Sequence, residues 1–224
     1  MDLSPRTIRE HLEASLVRLG LAHVDFCLSH GPDEHTPIES TLEGFAAAAE
    51  AGMTSHFGVC NVNAHRLLEA LAASDRLGLP RVEWVQNAYS LMNRDDELEL
   101  FAVCRERGLG FTPFSPMAGG VLTGKYRRNQ APPADSRLGL RPEGRVLSPA
   151  TFDAIDALRR RAQTLGVSCG ALALAWVMSH PQVTSAIVGP SRGAEHLRVA
   201  REAQAMEALD ERTRSEIGSL FVIA

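Results

Sequence analysis

Apolar residues recur along this chain in two alternating rhythms, a short continuous run and a longer pattern spaced for a helix. Ser4 and Pro5 offer an N-cap and a first helical residue, and Ile8, Leu12 and Leu16 follow on one face at i, i+4 and i+8. Residues 23–30 are too short and too apolar for a surface helix and read as a strand. Ser40 and Glu43 have the spacing of a capping box ahead of Leu42, Phe45 and an alanine-rich helix. A second strand is expected over 55–60, and Asn63 then caps a helix carrying Leu67, Leu68 and Leu71. Residues 82–86 read as the third strand, Asn93 and Asp96 open a helix with Leu98, Phe101 and Ala102, and 110–114 is the fourth strand. A Pro-, Gly- and Arg-rich loop covers 115–147. Ser148 and Pro149 restart helix, with Phe152, Ile155, Leu158 and Ala162 inward. A helix over 169–179 stops before Pro181, 185–188 is the last strand, and two helices finish the chain.

Strands alternating with helices predict an α/β fold with parallel strands and right-handed crossovers. The first four strands begin roughly 30 residues apart, the length of one βα unit. No GxGxxG follows any strand, so the dinucleotide fingerprint of an open doubly wound sheet is missing. A barrel is the better expectation. A full (β/α)8 barrel has eight strands and this pattern supplies five, so the expected fold is a partial (β/α)8 TIM barrel, strands 4–8 with their helices, in one incomplete domain over 1–224.

The 224 residues suffice for one domain with a sizeable core. Lys plus Arg number 23 against 27 Asp plus Glu, a net charge of −4 that argues against nucleic acid or a membrane surface as partner. Cys27, Cys60, Cys104 and Cys169 show neither CxxC nor metal-ligand spacing and read as free thiols in a reducing cytosol. The first residues lack a signal peptide's charged and apolar regions, and no apolar run approaches a membrane span, so a cytoplasmic location is expected.

Functional groups of such barrels sit at the C-terminal ends of strands. His30 ends one strand in VDFCLSH, Cys60 and Asn61 end the next in GVCN, and Gln86 and Asn87 end the third in VQN. Amides both donate and accept, so converging amides suit a planar carboxamide such as that of nicotinamide. Each of these residues could equally be a satisfied strand-end group. Phe114 leads into SPMAGGVLTGKY, where Gly119, Gly124 and Lys125 nearly spell a phosphate loop. Tyr126 stands where a Walker loop needs Ser or Thr, so that motif is rejected. A glycine-rich loop with basic residues can still contact diphosphate, or can be glycine-rich only for its turns. AIVGPSRGAEHL runs strand, Gly-Pro-Ser-Arg, helix, which reads as a phosphate site or as a plain capped helix. His30, Asp33 and His35 lack the spacing expected of a metal site, and no metal is expected.

Together these segments resemble the aldo-keto reductase superfamily, especially its branch with aflatoxin-aldehyde-reductase-like and other bacterial NADPH-dependent members. LEASLVRLGLAHVDFCLSHGPDEHTPIESTLEGF resembles the family's active-site histidine region, FGVCNVNAHRL its GxSN segment and VQNAYSLMNR its Q-x-x-Y segment. FSPMAGGVLTGKY resembles the diphosphate loop, and LALAWVMSHPQVTSAIVGPSRGAEHL the adenosine-phosphate segment. The resemblance implies that His30 orients a substrate carbonyl, that Cys60, Asn61 and Gln86 face the nicotinamide carboxamide, and that Phe114 stacks on its ring. It implies Ser115, Gly119, Leu122 and Lys125 along the diphosphate with Arg137 near, and Gly189, Ser191 and Arg192 at the adenosine 2′-phosphate, hence NADP(H) rather than NAD. Cys60 replaces the usual serine, and Glu195 and His196 stand near the usual glutamine.

The resemblance also implies an absence. The family's proton-donating tyrosine, with the lysine and aspartate that tune it, belongs to the first three βα units. Here Lys125 is the only lysine, and the only tyrosines are Tyr89 and Tyr126, at other positions. The leading expectation is a truncated or split NADP(H)-dependent reductase of small aldehydes or ketones. A degenerate member that binds NADP(H) or a protein is the alternative, and a non-redox phosphate-binding (β/α) lyase or isomerase is a third. Open strand edges at 23–30 and 185–188 would invite self-association.

Overall fold

Ser4 accepts the Thr7 amide and Pro5 occupies the first helical turn, so α1 runs over Pro5–Leu19 as its sequence predicts. The computed structural model describes residues 1–141, 146–189 and 193–221. They form two compact units, Met1–Asn87 with Asp96–Thr112, and Ala88–Asp95 with Pro113–Ala224.

The first unit continues through β1 (Val24–Ser29), α2 (Ile38–Glu50), β2 (Thr54–Cys60), α3 (Ala64–Leu77), β3 (Trp84–Gln86), α4 (Leu100–Arg107) and β4 (Gly110–Phe111). Its four strands pair in chain order, all parallel. This is an α/β fold with the strand–helix alternation expected of a (β/α) barrel. One sheet face carries Phe57, Val85 and Phe111, all buried. Phe57 stacks on Phe45 of α2 at 4.9 Å, and Phe111 meets Phe101 of α4 edge-on at 4.7 Å. The opposite face carries the row Leu28, Gly58, Trp84 and Gly110. Trp84 requires both glycines: a Cβ on Gly58 would lie 2.4 Å from the Trp84 carbonyl oxygen, and one on Gly110 2.4 Å from its ring.

Two helix starts differ from the sequence expectation. α2 begins at Ile38 after Pro37, whose carbonyl accepts the Thr41 amide, so Ser40 and Glu43 already lie inside the helix and no side chain caps it. α4 begins at Leu100. Asn93 instead exchanges backbone hydrogen bonds with Ser90 in a tight turn, and Asp96 accepts from Asn87 rather than capping. Residues Asp95–Glu97 make only a 3₁₀ turn, leaving Leu98 exposed.

The second unit holds α5 (Arg137–Leu140), α6 (Pro149–Thr164), α7 (Cys169–Met178), α8 (Gly193–Ala205) and α9 (Glu211–Gly218). Cys169 to Val177 of α7 are buried on every side, against Met117, Val199 and Ala203 among others. Trp176 donates its indole N–H to the Arg214 carbonyl at 2.8 Å, and the guanidiniums of Arg94 and Arg214 lie 5.4 and 5.1 Å from the centre of its ring. The expected loop over 115–147 contains a 3₁₀ segment, Ala118–Thr123, as well as α5.

The last expected strand is a correction. Residues 185–188 contribute one parallel bridge, Ile187 to Phe114, rather than a strand. Ile187 donates its amide to the Pro113 carbonyl at 2.9 Å, but Pro113 has no N–H to extend a ladder. Ser115, at φ 55°, then turns the chain away from extended geometry. The fourth strand is likewise shorter than expected, Gly110–Phe111, with Phe114 contributing one further parallel bridge, to Ala88. Among the described residues no helix is long and apolar enough to cross a membrane.

Candidate cofactor site

In the first unit three consecutive strand ends are tied together by their own polar groups. Cys60 of β2 pairs in register with Gln86 of β3, which places both side chains on one face of the sheet. His30 follows the last residue of β1 and is exposed. Asn61 bridges the three: its backbone N–H donates to the Gln86 carbonyl at 3.1 Å, and its side-chain amide donates to the His30 carbonyl at 2.8 Å. Asn61 adopts φ 56°, a left-handed conformation that asparagine tolerates better than most residues. That turn is held from below by Asn87, whose amide accepts the Val62 N–H at 3.2 Å and donates to the Val62 carbonyl at 2.8 Å.

The loop bearing His30 has its own clamp. Asp33 accepts the Leu3 amide at 2.8 Å and the His35 amide at 2.9 Å. A side-chain hydrogen bond from Thr36, with these two amides, holds the Asp33 carboxyl well below the usual carboxylate range. Burial pushes the Cys60 thiol up to about 11, so it stays protonated at neutral pH and is available as a weak donor.

In the second unit the loop after Phe114 is a succession of left-handed residues: Ser115, Ala118, Gly119, Gly120 and Gly124, with φ between 49° and 92°. Basic side chains close over two of them. A Cβ on Gly119 would lie 3.4 Å from Arg137 Nη1, and one on Gly120 would lie 3.0 Å from Lys125 Nζ. Lys125 and Arg137 are exposed, so their charges face solvent beside a backbone whose curvature can present N–H groups to an anion. Leu122 is fully buried, so only its backbone could meet a ligand; Phe114 is half-buried and Gly189 exposed. Ser191 and Arg192 lie outside the described residues.

Both tyrosines are buried and engaged. Tyr89 accepts from Arg214 Nη1 at 3.3 Å, and Tyr126 accepts the Leu138 amide at 3.3 Å. At 0% and 2% exposure, neither residue is open to solvent.

A profile described as the Aldo/keto reductase family matches residues 1–219. The chain belongs to this family. It is similar to the "Probable voltage-gated potassium channel subunit beta" of Oryza sativa subsp. japonica, 38% identical over 85% of this chain and 59% of that protein. It is also similar to the "L-glyceraldehyde 3-phosphate reductase" of Escherichia coli (strain K12), 33% identical over 82% of this chain and 54% of that protein. A third relative is the "Aflatoxin B1 aldehyde reductase member 2" of Homo sapiens, 32% identical over 83% of this chain and 55% of that protein. The chain thus spans a little over half the length of these aldo-keto reductase relatives.

Sequence reasoning singled out the strand-end residues and the glycine loop but missed what fixes them. Asn87 was read as one more strand-end amide, whereas its side chain bonds to the Val62 backbone beneath the Asn61 turn. The roles of Asp33 and Trp84 depend on contacts distant in sequence, which periodicity does not register.

Proposed function

We propose that this chain is the NADP(H)-binding, histidine-bearing part of an aldo-keto reductase that reduces aldehydes or ketones to alcohols. The observation that carries the reading is the joined set of strand ends, in which Asn61 donates to the Gln86 and His30 carbonyls and Cys60 pairs in register with Gln86. A planar carboxamide has two donors and one acceptor, and this set offers matching groups on adjacent strands. NADP(H), when bound, supplies the hydride that reduces the carbonyl carbon. Gly119 and Gly120, closed over by Arg137 and Lys125, fit a diphosphate, with Phe114 and Ser115 at the start of the same loop. Gly189, Ser191 and Arg192 are proposed for the 2′-phosphate on resemblance alone.

His30 is the residue of this chain that can hold a carbonyl oxygen in place, since its ring is exposed while its backbone is fixed by Asn61. The proton that completes an alcohol needs an acid other than Tyr89 or Tyr126. The proposed architecture is a partial (β/α)8 barrel, strands 4–8, as one domain over 1–224, and the proposed location is the cytoplasm. The catalytically defective alternative is not favoured, because relatives at 33% and 32% identity carry reductase names. Relatives named as potassium channel subunits support a protein partner in addition. Val17, Leu19, Leu21 and Phe26 are exposed near the outer edge of β1, where self-association is also proposed.

The test is NADPH consumption with 4-nitrobenzaldehyde. Turnover that is slow, by about 10²–10⁴ for want of the acid, and lost in His30→Ala, is the expected result. Turnover unchanged in His30→Ala would refute the site.

A further inference from the structure

At Gly124 of the glycine loop the second unit holds two arginines that the cofactor reading does not use, Arg127 three residues further along the chain and Arg159 of α6 against the turn itself. Arg127 makes no ion pair and donates no side-chain hydrogen bond among the described residues, yet its Nη1 is buried. Arg159 of α6 pairs through Nη2 with Asp156, while its Nε is buried with no partner among the described residues. That Nε faces the loop: a Cβ on Gly124 would lie 3.9 Å from it and 3.4 Å from Cys169 Sγ. Burial first, and then the neighbouring Arg127 charge, lower the Arg159 guanidinium from its ordinary value. Both guanidiniums also act on the Cys169 thiol at the start of α7.

The surrounding charges do not resolve this. Asp156 is committed to Arg159, Asp153 to Arg128, and Arg160 adds a further positive charge. Two like charges with buried N–H donors left over are unfavourable twice, by repulsion and by unmade hydrogen bonds. A guanidinium fork matches the oxygens of phosphate, and a dianion would answer both charges at once.

We propose that Arg127 and Arg159 form a binding site for a doubly charged oxyanion, either inorganic phosphate or the phosphate group of a small monoester. The site is separate from Lys125 and Arg137, which close over Gly119 and Gly120, and it does not require that those residues bind a cofactor. An anion there would brace the turn at Gly124.

Thermal unfolding of the full chain is followed in rising inorganic phosphate, in rising glycerol 3-phosphate, and in sodium chloride of matched ionic strength. At 100-fold over Kd a rise in Tm of about 5–10 °C is expected with a phosphate and none with chloride. Equal response to both phosphates assigns free phosphate as sufficient; a tighter response to glycerol 3-phosphate assigns the monoester. Arg127→Gln abolishes the rise, and because Arg127 holds no side-chain partner among the described residues its Tm without phosphate stays equal or increases. Lys125→Gln with Arg137→Gln keeps the rise. The proposal is overturned by a rise that chloride reproduces, by one that survives Arg127→Gln, or by one lost only in the Lys125 and Arg137 variant. A marked fall in the phosphate-free Tm of Arg127→Gln would also overturn it, by revealing a partner within the chain.

Discussion

Replacing Asn87 with alanine removes the brace beneath the strand-end site, and its cost can be worked out bond by bond. Asn87 is 6% exposed and makes three side-chain hydrogen bonds, with the Val62 N–H, with the Val62 carbonyl and with Asp96 Oδ1. A neutral hydrogen bond contributes about 1 kcal/mol net, and one to a carboxylate about 1.5–3 kcal/mol. Alanine leaves the two Val62 groups and the carboxylate oxygen to find water in a largely enclosed place. The sum predicts a loss of about 3.5–5 kcal/mol. With a urea dependence of about 2 kcal/mol per molar, the midpoint of unfolding falls by about 2 M. Urea titration followed by far-ultraviolet circular dichroism measures this. A loss under about 0.5 kcal/mol at unchanged slope would show that Asn87 braces nothing. Asn87→Asp keeps the acceptor for the Val62 N–H but sets a second carboxylate beside Asp96, so it should destabilise more at pH 7 than at pH 4.

Other outcomes follow from the same structure. Lys125→Ala and Arg137→Ala should each raise the NADPH Kd by about 10–100-fold, the value of one charge-assisted contact, measured by fluorescence titration. Gly110→Ala should destabilise the sheet by about 1–3 kcal/mol, because its Cβ would enter the Trp84 ring, and a Tm equal to that of the unchanged chain would contradict the packing. Asp33 has a carboxyl held low in the folded chain, so its contribution is complete above the unfolded value of about 3.9 and is lost as pH falls below it. Asp33→Asn should therefore lower Tm at pH 7 and flatten the loss of stability between pH 4 and pH 2, as read from melting curves across pH.

Much of the fold could be read before any coordinates, and the failures have physical causes. Ser4, Asn63 and Ser148 cap helices as their spacing indicates, because an N-cap is a local device that needs only the next three residues. Ser40 with Glu43, and Asn93 with Asp96, do not open their helices, because Pro37 stands at the N-cap of α2, Asn93 is bonded to Ser90 and Asp96 accepts from Asn87. Residues 185–188 look like a strand by composition, but a ladder also needs a willing neighbour, and Pro113 and Ser115 are poor ones. At the candidate site His30, Asn61, Cys60 and Gln86 were legible because strand ends are where barrel chemistry collects. Arg127 and Arg159 were not, since they are 32 residues apart in the sequence and only the fold brings their charges within reach of one another.

The central claim, that this chain keeps the cofactor side of an aldo-keto reductase, is tested most directly by titrating it with NADPH and with NADH while following nicotinamide fluorescence. The account predicts saturable NADPH binding that weakens when Gln86 or Asn61 is changed to alanine, and weaker binding of NADH. Absence of saturable binding, or NADPH binding indifferent to Gln86, Asn61, Lys125 and Arg137 alike, would contradict it.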